Sequence, residues 1–406
     1  MPTTRMRRAV VLVTVLLGAG VQSFSGAPSP PPPSPLLPRL VSEGHAPGAA
    51  LLAGPAYSAD PGASTESAAS ADSAHSPDSA NSAHSSDAAN SADPKRPAGF
   101  PDSAHSTDST RFESAGTGIR RADRFRAGSV TKTFVATVVL QLDAERRLRL
   151  DDTVASHLPG LLAGPTGRRV TLRALLSHTS GLPDYATSPG PAPTTAVEAV
   201  RSALAVRPPR PPGSYAYANT NYAVLGMVVE RVTGRSYATE ARRRIINPLG
   251  LTGTSFPGAR TALPDPHGRA YDARGRDVTS LDPRGAGAAG ELISTLDDLN
   301  RFYAALLGGR LLPPSQLRAL LDTRPAHGAY GLGIYPRTLS CGTTVWGHNG
   351  HIPGSYVRTA ATADGRRSLT FRVNTDTLAA GTLAALEPAL LEDEFCTDRE
   401  RSRAGS

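Results

Sequence analysis

The run Arg126-Ala127-Gly128-Ser129-Val130-Thr131-Lys132 opens directly onto an apolar, helix-compatible stretch from Thr133 to Leu142. A Ser-x-x-Lys at the mouth of a helix puts the two side chains one turn apart on one face, with the hydroxyl near the positive end of the helix dipole. The amine can then take the hydroxyl proton, which makes Ser129 a candidate nucleophile and Lys132 its base. Composition sharpens this reading. Lysine occurs at Lys95, in a low-complexity tract, and at Lys132, while every other member of the 43 basic residues is arginine. Arginine does not deprotonate at accessible pH, so it cannot serve as a base. Taken alone, Ser-x-x-Lys is a weak motif: a capping serine followed by a solvated lysine has the same spacing. A lysine in a first turn opposes the dipole, which counts against that blander reading.

Working toward the N-terminus, the short runs 111–118 and 123–126 read as strands leading into Ser129. Before them, residues 56–109 are rich in Ser, Ala, Asp, Asn and His, and Asp-Ser-Ala-His-Ser occurs at 72–76 and again at 102–106. Such a tract cannot bury enough apolar surface to order, so disorder is expected. Its scattered histidines are compositional rather than metal-binding. Residues 46–54 form a buried-strand candidate, and the tract then reads as an insertion in the hairpin between the first two strands, where loop length costs little. The alternative is that folding begins near Arg111. Residues 28–39 are a proline-rich, extended leader. Residues 1–27 read as a secretory signal: Arg5, Arg7 and Arg8 precede an apolar run at 9–21 that is too short to span a bilayer. Export to an extracellular location is expected, with no membrane span after cleavage. The two cysteines, Cys341 and Cys396, fit an oxidising compartment and can form one disulfide.

The net charge of +8 does not point to nucleic acid, because the arginines are scattered rather than clustered with aromatics. A solvated surface, or attraction to an anionic cell envelope, fits better.

Past the serine helix, 151–154 and 170–176 begin a helical region. It carries the polar turn Ser177-His178-Thr179-Ser180-Gly181-Leu182-Pro183-Asp184-Tyr185, in which His178 is read as fixing backbone groups rather than as catalytic. Tyr215-Ala216-Tyr217-Ala218-Asn219-Thr220-Asn221 then leads into a helix with apolar Tyr222, Leu225, Val228, Val229 and Val232, closing at Gly234. Asn219 or Asn221 could cap that helix. In the functional alternative, Tyr217 and Asn219, two apart in an extended loop, project together into a site, the tyrosinate as base and the amide as a ligand for a substrate carbonyl. Residues 285–290 form a flexible Gly/Ala loop bordering the site, without chemistry of its own. A helix over 294–307, capped by Ser294 or Thr295, follows. Strands are expected at 330–334, 343–347 and 348–350, and a hairpin of 356–361 and 368–373 turns at Asp364-Gly365. A last helix runs to Cys396, with Pro388 bending it or marking its start. Residues 397–406 are a polar tail.

Ser129-Val130-Thr131-Lys132, Tyr217-Ala218-Asn219 and His348-Asn349-Gly350, in that order, resemble the serine β-lactamase and penicillin-binding D,D-peptidase superfamily. The likeness is to its class C-like branch, and within it to secreted D-alanyl-D-alanine carboxypeptidases. It spans Arg111 to Cys396 and includes 175–182, Tyr330-Gly331-Leu332-Gly333-Ile334 and the late cysteine pair.

The resemblance implies an α+β fold: an antiparallel sheet flanked by helices plus a mainly helical lobe, together a serine hydrolase domain over 40–396. It implies Ser129 as acylated nucleophile, Lys132 as proton partner, Tyr217 as base and shuttle, and Asn219 as ligand of the substrate amide. His348 heads the third motif, where relatives have Lys or His followed by Thr-Gly. Asn349 departs from that pattern and, with Gly350 and His351, would line the substrate. The oxyanion hole would be the N–H groups of Ser129 and His351, and Arg337 the holder of a substrate carboxylate. A cationic Lys132 and His348 would draw down the Tyr217 phenol. A Cys341–Cys396 bridge would tie the last helix to the strand before His348.

The expected activity is D-alanyl-D-alanine carboxypeptidase or transpeptidase on peptidoglycan-type peptides. β-Lactamase, esterase or D-aminopeptidase activity is the alternative, as is a penicillin-binding module that acylates without turnover. A small peptide or β-lactam substrate is expected, with cell-wall peptidoglycan as partner, no cofactor, and a monomer. No Gly-x-Ser-x-Gly elbow surrounds Ser129, and there is no His-Glu-x-x-His zinc motif. His348 and His351 lack an accompanying carboxylate, so no metal is expected.

Overall fold

Eight strands and the helices packed on them carry the fold, in a computed structural model that describes residues 34–55 and 110–396. In chain order the strands are β1 (Gly48–Pro55), β2 (Arg111–Gly116), β3 (Phe125–Arg126), β4 (Ile293–Ser294), β5 (Tyr335–Thr338), β6 (Thr344–Ile352), β7 (Ser355–Thr362) and β8 (Arg367–Val373). Six of them form one sheet in the order β2-β1-β8-β7-β6-β5, every neighbouring pair antiparallel, while β3 and β4 pair separately. The architecture is the α+β arrangement expected from the sequence.

Alternation along the strands builds two cores. On one face Ala49, Leu51 and Ala53 of β1 and Leu369, Phe371 and Val373 of β8 meet two helices, Leu36–Ser42 and Thr382–Phe395, through Leu37, Leu40, Leu386, Leu390, Leu391 and Phe395. On the other, Ala50, Leu52, Val357 and Ala361 join a larger core with the helices Thr131–Ala144, Asn219–Thr233 and Leu296–Leu307. The Thr131–Ala144 helix is buried along most of its length, which is why its sequence is apolar on every side rather than on one stripe. It crosses the interior between the sheet and the helical lobe, and its N-terminus is where the two meet.

Several local expectations change. The leader does not stay extended to residue 39: Leu36–Ser42 is helical, and Ser34 N–H already donates to Glu113 at 3.0 Å. Pro38 is tolerated because it sits in the first helical turn, where its missing N–H has no intrahelical partner to lose. Residues 330–334 are a turn, not a strand; the strand is β5, just after them. Gly333 explains this, with φ +81° and a position where a Cβ would lie 2.5 Å from that of Ala136. The separate strands expected at 343–347 and 348–350 are the single strand β6. Thr295, not Ser294, caps the Leu296–Leu307 helix, accepting from Asp298 N–H. Pro388 lies inside the last helix instead of starting it. Cys341 and Cys396 are bonded, S–S 2.02 Å. β1 and β2 are paired in antiparallel register, Ala53 opposite Arg111, so residues 56–109 join adjacent strands. The signal, the first half of the leader, the low-complexity tract and the polar tail lie outside the described residues.

Candidate active site

Ser129 sits in a 3₁₀ turn, Gly128–Val130, immediately before the Thr131–Ala144 helix. Gly128 has φ +51°, in the left-handed region, and a Cβ there would lie 2.8 Å from His351 N. The turn is pinned from both sides. Thr131 Oγ1 donates to Gly128 O at 2.6 Å and accepts from Leu292 N–H at 3.0 Å, while Ala127 N–H donates to Leu292 O at 2.7 Å.

Lys132 is completely buried, and its Nζ lies 3.0 Å from Ser129 Oγ, 2.8 Å from Asn219 Oδ1 and 2.7 Å from Ala289 O. Burial pulls its pKa from 10.5 to about 7, against a smaller upward pull from Asp184. A neutral amine has two N–H bonds and one lone pair. Asn219 Oδ1 and Ala289 O can only accept, so they take the two hydrogens. The lone pair is left for the Ser129 hydroxyl.

Tyr217 donates its hydroxyl proton to Ser129 Oγ at 2.9 Å. The expectation of a phenol drawn down by two cations is reversed, because burial raises the Tyr217 pKa and the bond to Ser129 offsets only part of that. Tyr217 keeps 37% of its surface exposed, so solvent softens the push, but the direction stands and the group is a phenol rather than a phenolate. His348 supplies no charge either: burial, then Lys132, lowers its pKa to about 3. Its Nε2 bonds Tyr330 OH at 2.7 Å and its Nδ1 faces Asn349 O at 2.5 Å.

Neither asparagine caps the helix that Asn219 begins. The Asn219 side chain lies between Lys132 and Asp184, its Nδ2 donating to Asp184 Oδ2 at 3.2 Å. One N–H is thereby spent, so Asn219 organises Lys132 at least as directly as it could bind substrate. Asn221 is buried, accepting from Ser180 Oγ at 2.5 Å and bonding His178 Nδ1 at 3.0 Å.

Strand β6 brings in the third motif. Gly350 packs on the serine turn so closely that a Cβ would lie 1.9 Å from Ala127 O, and the chain beside it delivers the His351 backbone to Gly128. Alternation turns Asn349 to the opposite face, where its Oδ1 accepts from Tyr335 OH at 3.2 Å. Arg337 is exposed on β5 and lines a cleft of about 660 Å³ with Tyr356, Asp376, Gly381 and Glu387 beside the C-terminal helix, apart from the bonded group around Ser129. The His351 ring bonds Asp376 O at 2.8 Å and leaves its backbone to face the serine turn.

Two contributors, Ala289 and Asp184, were not legible as chemistry in the sequence, while His178 fixes backbone groups as expected. Ala289, in the one-turn helix Gly287–Gly290, supplies a carbonyl to Lys132 where a loop without chemistry was expected. His178 holds the Tyr217 loop in two ways: its carbonyl accepts from Ala216 N–H and its Nδ1 from Ala218 N–H. Its ring, fully buried and kept neutral chiefly by burial, also stacks on Tyr217 with centroids 4.2 Å apart. Asp184 holds Asn219. The chemistry of a backbone carbonyl is invisible in a residue's name, whereas the dense polar turn 177–185 is the signal in the sequence that points to Asp184.

Residues 107–390 match the family described as Beta-lactamase. "Penicillin-binding protein 4" of Amycolatopsis lactamdurans is 33% identical over 233 residues, 55% of this chain and 61% of that protein. "Putative penicillin-binding protein PbpX" of Bacillus subtilis is 28% identical over 233 residues, covering 57% and 56%. The chain therefore spans less than two thirds of the length of these curated relatives. Among solved structures, a D-stereospecific amidohydrolase from Streptomyces sp. superposes with a TM-score of 0.70 at 36% identity, covering 89% of this chain and 97% of that one. The D-amino acid amidase of Ochrobactrum anthropi SV3, at 24% identity and a TM-score of 0.66, shares the fold over 88% of this chain and 98% of its own.

Proposed function

The chain belongs to the Beta-lactamase family and is a serine hydrolase of the β-lactamase and penicillin-binding protein kind; from that premise we propose that it cleaves amide bonds on the carbonyl side of D-amino-acid residues through an acyl-enzyme on Ser129. The observation that carries this reading is the bonding at Lys132 Nζ, where two carbonyl acceptors leave the lone pair aimed at the serine hydroxyl.

In the proposed sequence Lys132 takes the Ser129 proton as Oγ attacks the carbonyl carbon. The negative charge forming on the carbonyl oxygen is met by the N–H groups of Ser129 and His351, a pair in which each donor is worth about a hundredfold or more in rate. The phenol of Tyr217 protonates the leaving nitrogen, and the proton held on Lys132 replaces it, so acylation is neutral in protons overall. Water then attacks the ester, with Lys132 accepting its proton and Ser129 leaving as the hydroxyl.

The D-configured substrate rests on the amidohydrolase likeness, which covers nearly all of that enzyme's length. A D-alanyl-D-alanine carboxypeptidase is the second reading, favoured by the penicillin-binding relatives. It needs a fixed cation for the terminal carboxylate. Among the described residues bonded around Ser129, His348 is neutral and Lys132 is committed to the serine, while Arg337 lies in the cleft beside the C-terminal helix. This favours uncharged amide substrates. Export and a cell-wall setting remain proposals of the N-terminal sequence.

The test is intact-mass spectrometry after brief exposure to benzylpenicillin, with Ser129→Ala as control. It is run beside D- and L-amino-acid amides, a D-Ala-D-Ala peptide and a chromogenic β-lactam. A Ser129-dependent adduct with release of ammonia from D-amides alone is the expected result. D-Ala release without amide turnover moves the assignment to the carboxypeptidase, and rapid drug hydrolysis moves it to a β-lactamase. No adduct and no amide cleavage would overturn the acyl-enzyme reading.

A further inference from the structure

We propose that Asp184 is a positioning residue for acylation: its carboxylate dictates which end of the Asn219 amide faces Lys132, and thereby where the Lys132 lone pair points. The inference rests on the reading of Lys132 as base. Asp184 caps the 3₁₀ turn Tyr185–Thr187, accepting from Ala186 N–H at 3.2 Å. The same carboxylate accepts from the Asn219 backbone N–H at 2.9 Å and from its Nδ2 at 3.2 Å. Three donors thus converge on one acid, two of them from the residue after the Tyr217 loop.

The consequence follows from hydrogen-bond inventory. An ionised carboxylate only accepts, so the amide end turned toward Asp184 must be the NH₂ and the end turned toward Lys132 must be the oxygen. That oxygen lies 2.8 Å from Nζ and takes one amine hydrogen, while Ala289 O takes the other. If the amide were reversed, its NH₂ would face the amine. The lone pair would turn to meet it, and an N–H would point at Ser129 Oγ. The base would then offer a hydrogen where the mechanism needs an acceptor.

The charge on Asp184 acts in the same place. The groups that face Lys132 from the packed elements are Tyr217 and Tyr222, with ring centroids 4.9 and 5.5 Å from Nζ, and His178, His348 and Asp184. Burial keeps both tyrosines protonated and both histidines neutral. Asp184 is the one of these five that carries negative charge, and it holds the amine pKa up against burial.

The experiment compares Asp184→Asn with Thr220→Val in the full chain, reading the benzylpenicillin acylation rate by mass spectrometry from pH 5 to 9. The Thr220 hydroxyl braces the same loop by donating to Pro183 O and accepting from Tyr185 N–H, and it makes no hydrogen bond to the side chains of Asp184, Asn219 or Lys132. For Asp184→Asn a rate loss of about a hundredfold is expected from the misdirected amine, together with a rising limb displaced to lower pH. For Thr220→Val the limb stays in place. A double-mutant cycle with Asn219→Ala gives an independent readout: an acid acting through the amide loses most of its effect once the amide is gone.

An unmoved limb in Asp184→Asn, or full additivity in the cycle, would overturn the proposal while the wild-type adduct left the acyl-enzyme reading intact. Absence of a wild-type adduct would sink that reading and this proposal together. Should Asp184→Asn not fold, Asp184→Glu keeps the test open: a retained acid must leave the limb near its wild-type position, and a displaced limb there counts against it.

Discussion

Lys132 is held between two opposing demands, and its protonation sets the pH behaviour of the whole site. Its folded-state pKa of about 7 means that the lone pair is available above that value and lost below it. Acylation should therefore rise through about pH 7, fall about tenfold for each unit well below it, and show no decline up to pH 9, since burial keeps Tyr217 protonated. Stability follows the same group with a definite sign. The unfolded chain binds this proton up to about pH 10.5 and the folded chain only to about 7, so folding gains on unfolding as pH rises between the two. Thermal unfolding of wild type against Lys132→Met should show wild type gaining relative stability from pH 7 to 9; parallel curves would contradict the depressed pKa. Tyr217→Phe separates acid from base. If the phenol protonates the leaving nitrogen, kcat/KM for an amide should fall by about 10²–10⁴. An activated ester, whose leaving group needs no proton, should lose much less.

At the level of elements, the site depends on two backbones approaching each other more closely than side chains allow. Strand β6 and the serine turn touch through Gly350 and Gly128, the first with a Cβ position 1.9 Å from Ala127 O, the second with φ +51°. Gly350→Ala must displace β6 from the turn, carrying the His351 N–H out of line with the oxyanion. A loss of about a hundredfold in acylation is expected, with a cost of about 1–3 kcal/mol in stability for the overpacking. Chemical denaturation and the acylation assay measure these separately. Unchanged acylation would show that the β6 backbone is not part of the site. The Tyr217 loop is braced differently, by the ring and carbonyl of His178, whose own turn is buried from Ser177 to Ser180.

Across the whole molecule, two long connections are closed by structure rather than by sequence proximity. The Cys341–Cys396 bond spans 55 residues and ties the end of the C-terminal helix to the turn between β5 and β6. In the chain-entropy picture it contributes about 4 kcal/mol. The Cys341→Ser/Cys396→Ser double variant should melt several degrees lower yet still acylate, because the bond lies across the sheet from Ser129. The second connection is 56–109, which joins paired neighbours. Replacing it with about six residues should leave acylation intact and add up to about 2 kcal/mol of stability through a shorter closure. Loss of folding would mean that the tract contributes structure of its own.

The sequence by itself determined the order of the three motifs, the serine-lysine spacing, the hairpin turning at Asp364-Gly365 and the presence of one cysteine pair, while the antiparallel sheet as a whole was what the family resemblance implied. Each of these is written in residue type and periodicity: strands alternate, a helix returns every turn, and the one lysine outside the low-complexity tract stands out among arginines. Only the tertiary structure decided what those residues do to one another. That Tyr217 is a phenol, that His348 is neutral and that Lys132 titrates near 7 all follow from burial, which depends on what folds over a side chain rather than on its neighbours in the chain. The same holds for Ala289, whose carbonyl any residue could have supplied, and for Asp184, which reaches Lys132 through an amide 35 residues away. Arg337 shows the limit from the other side: a plausible carboxylate ligand by its place in the sequence, it lines a different cleft, beside the C-terminal helix.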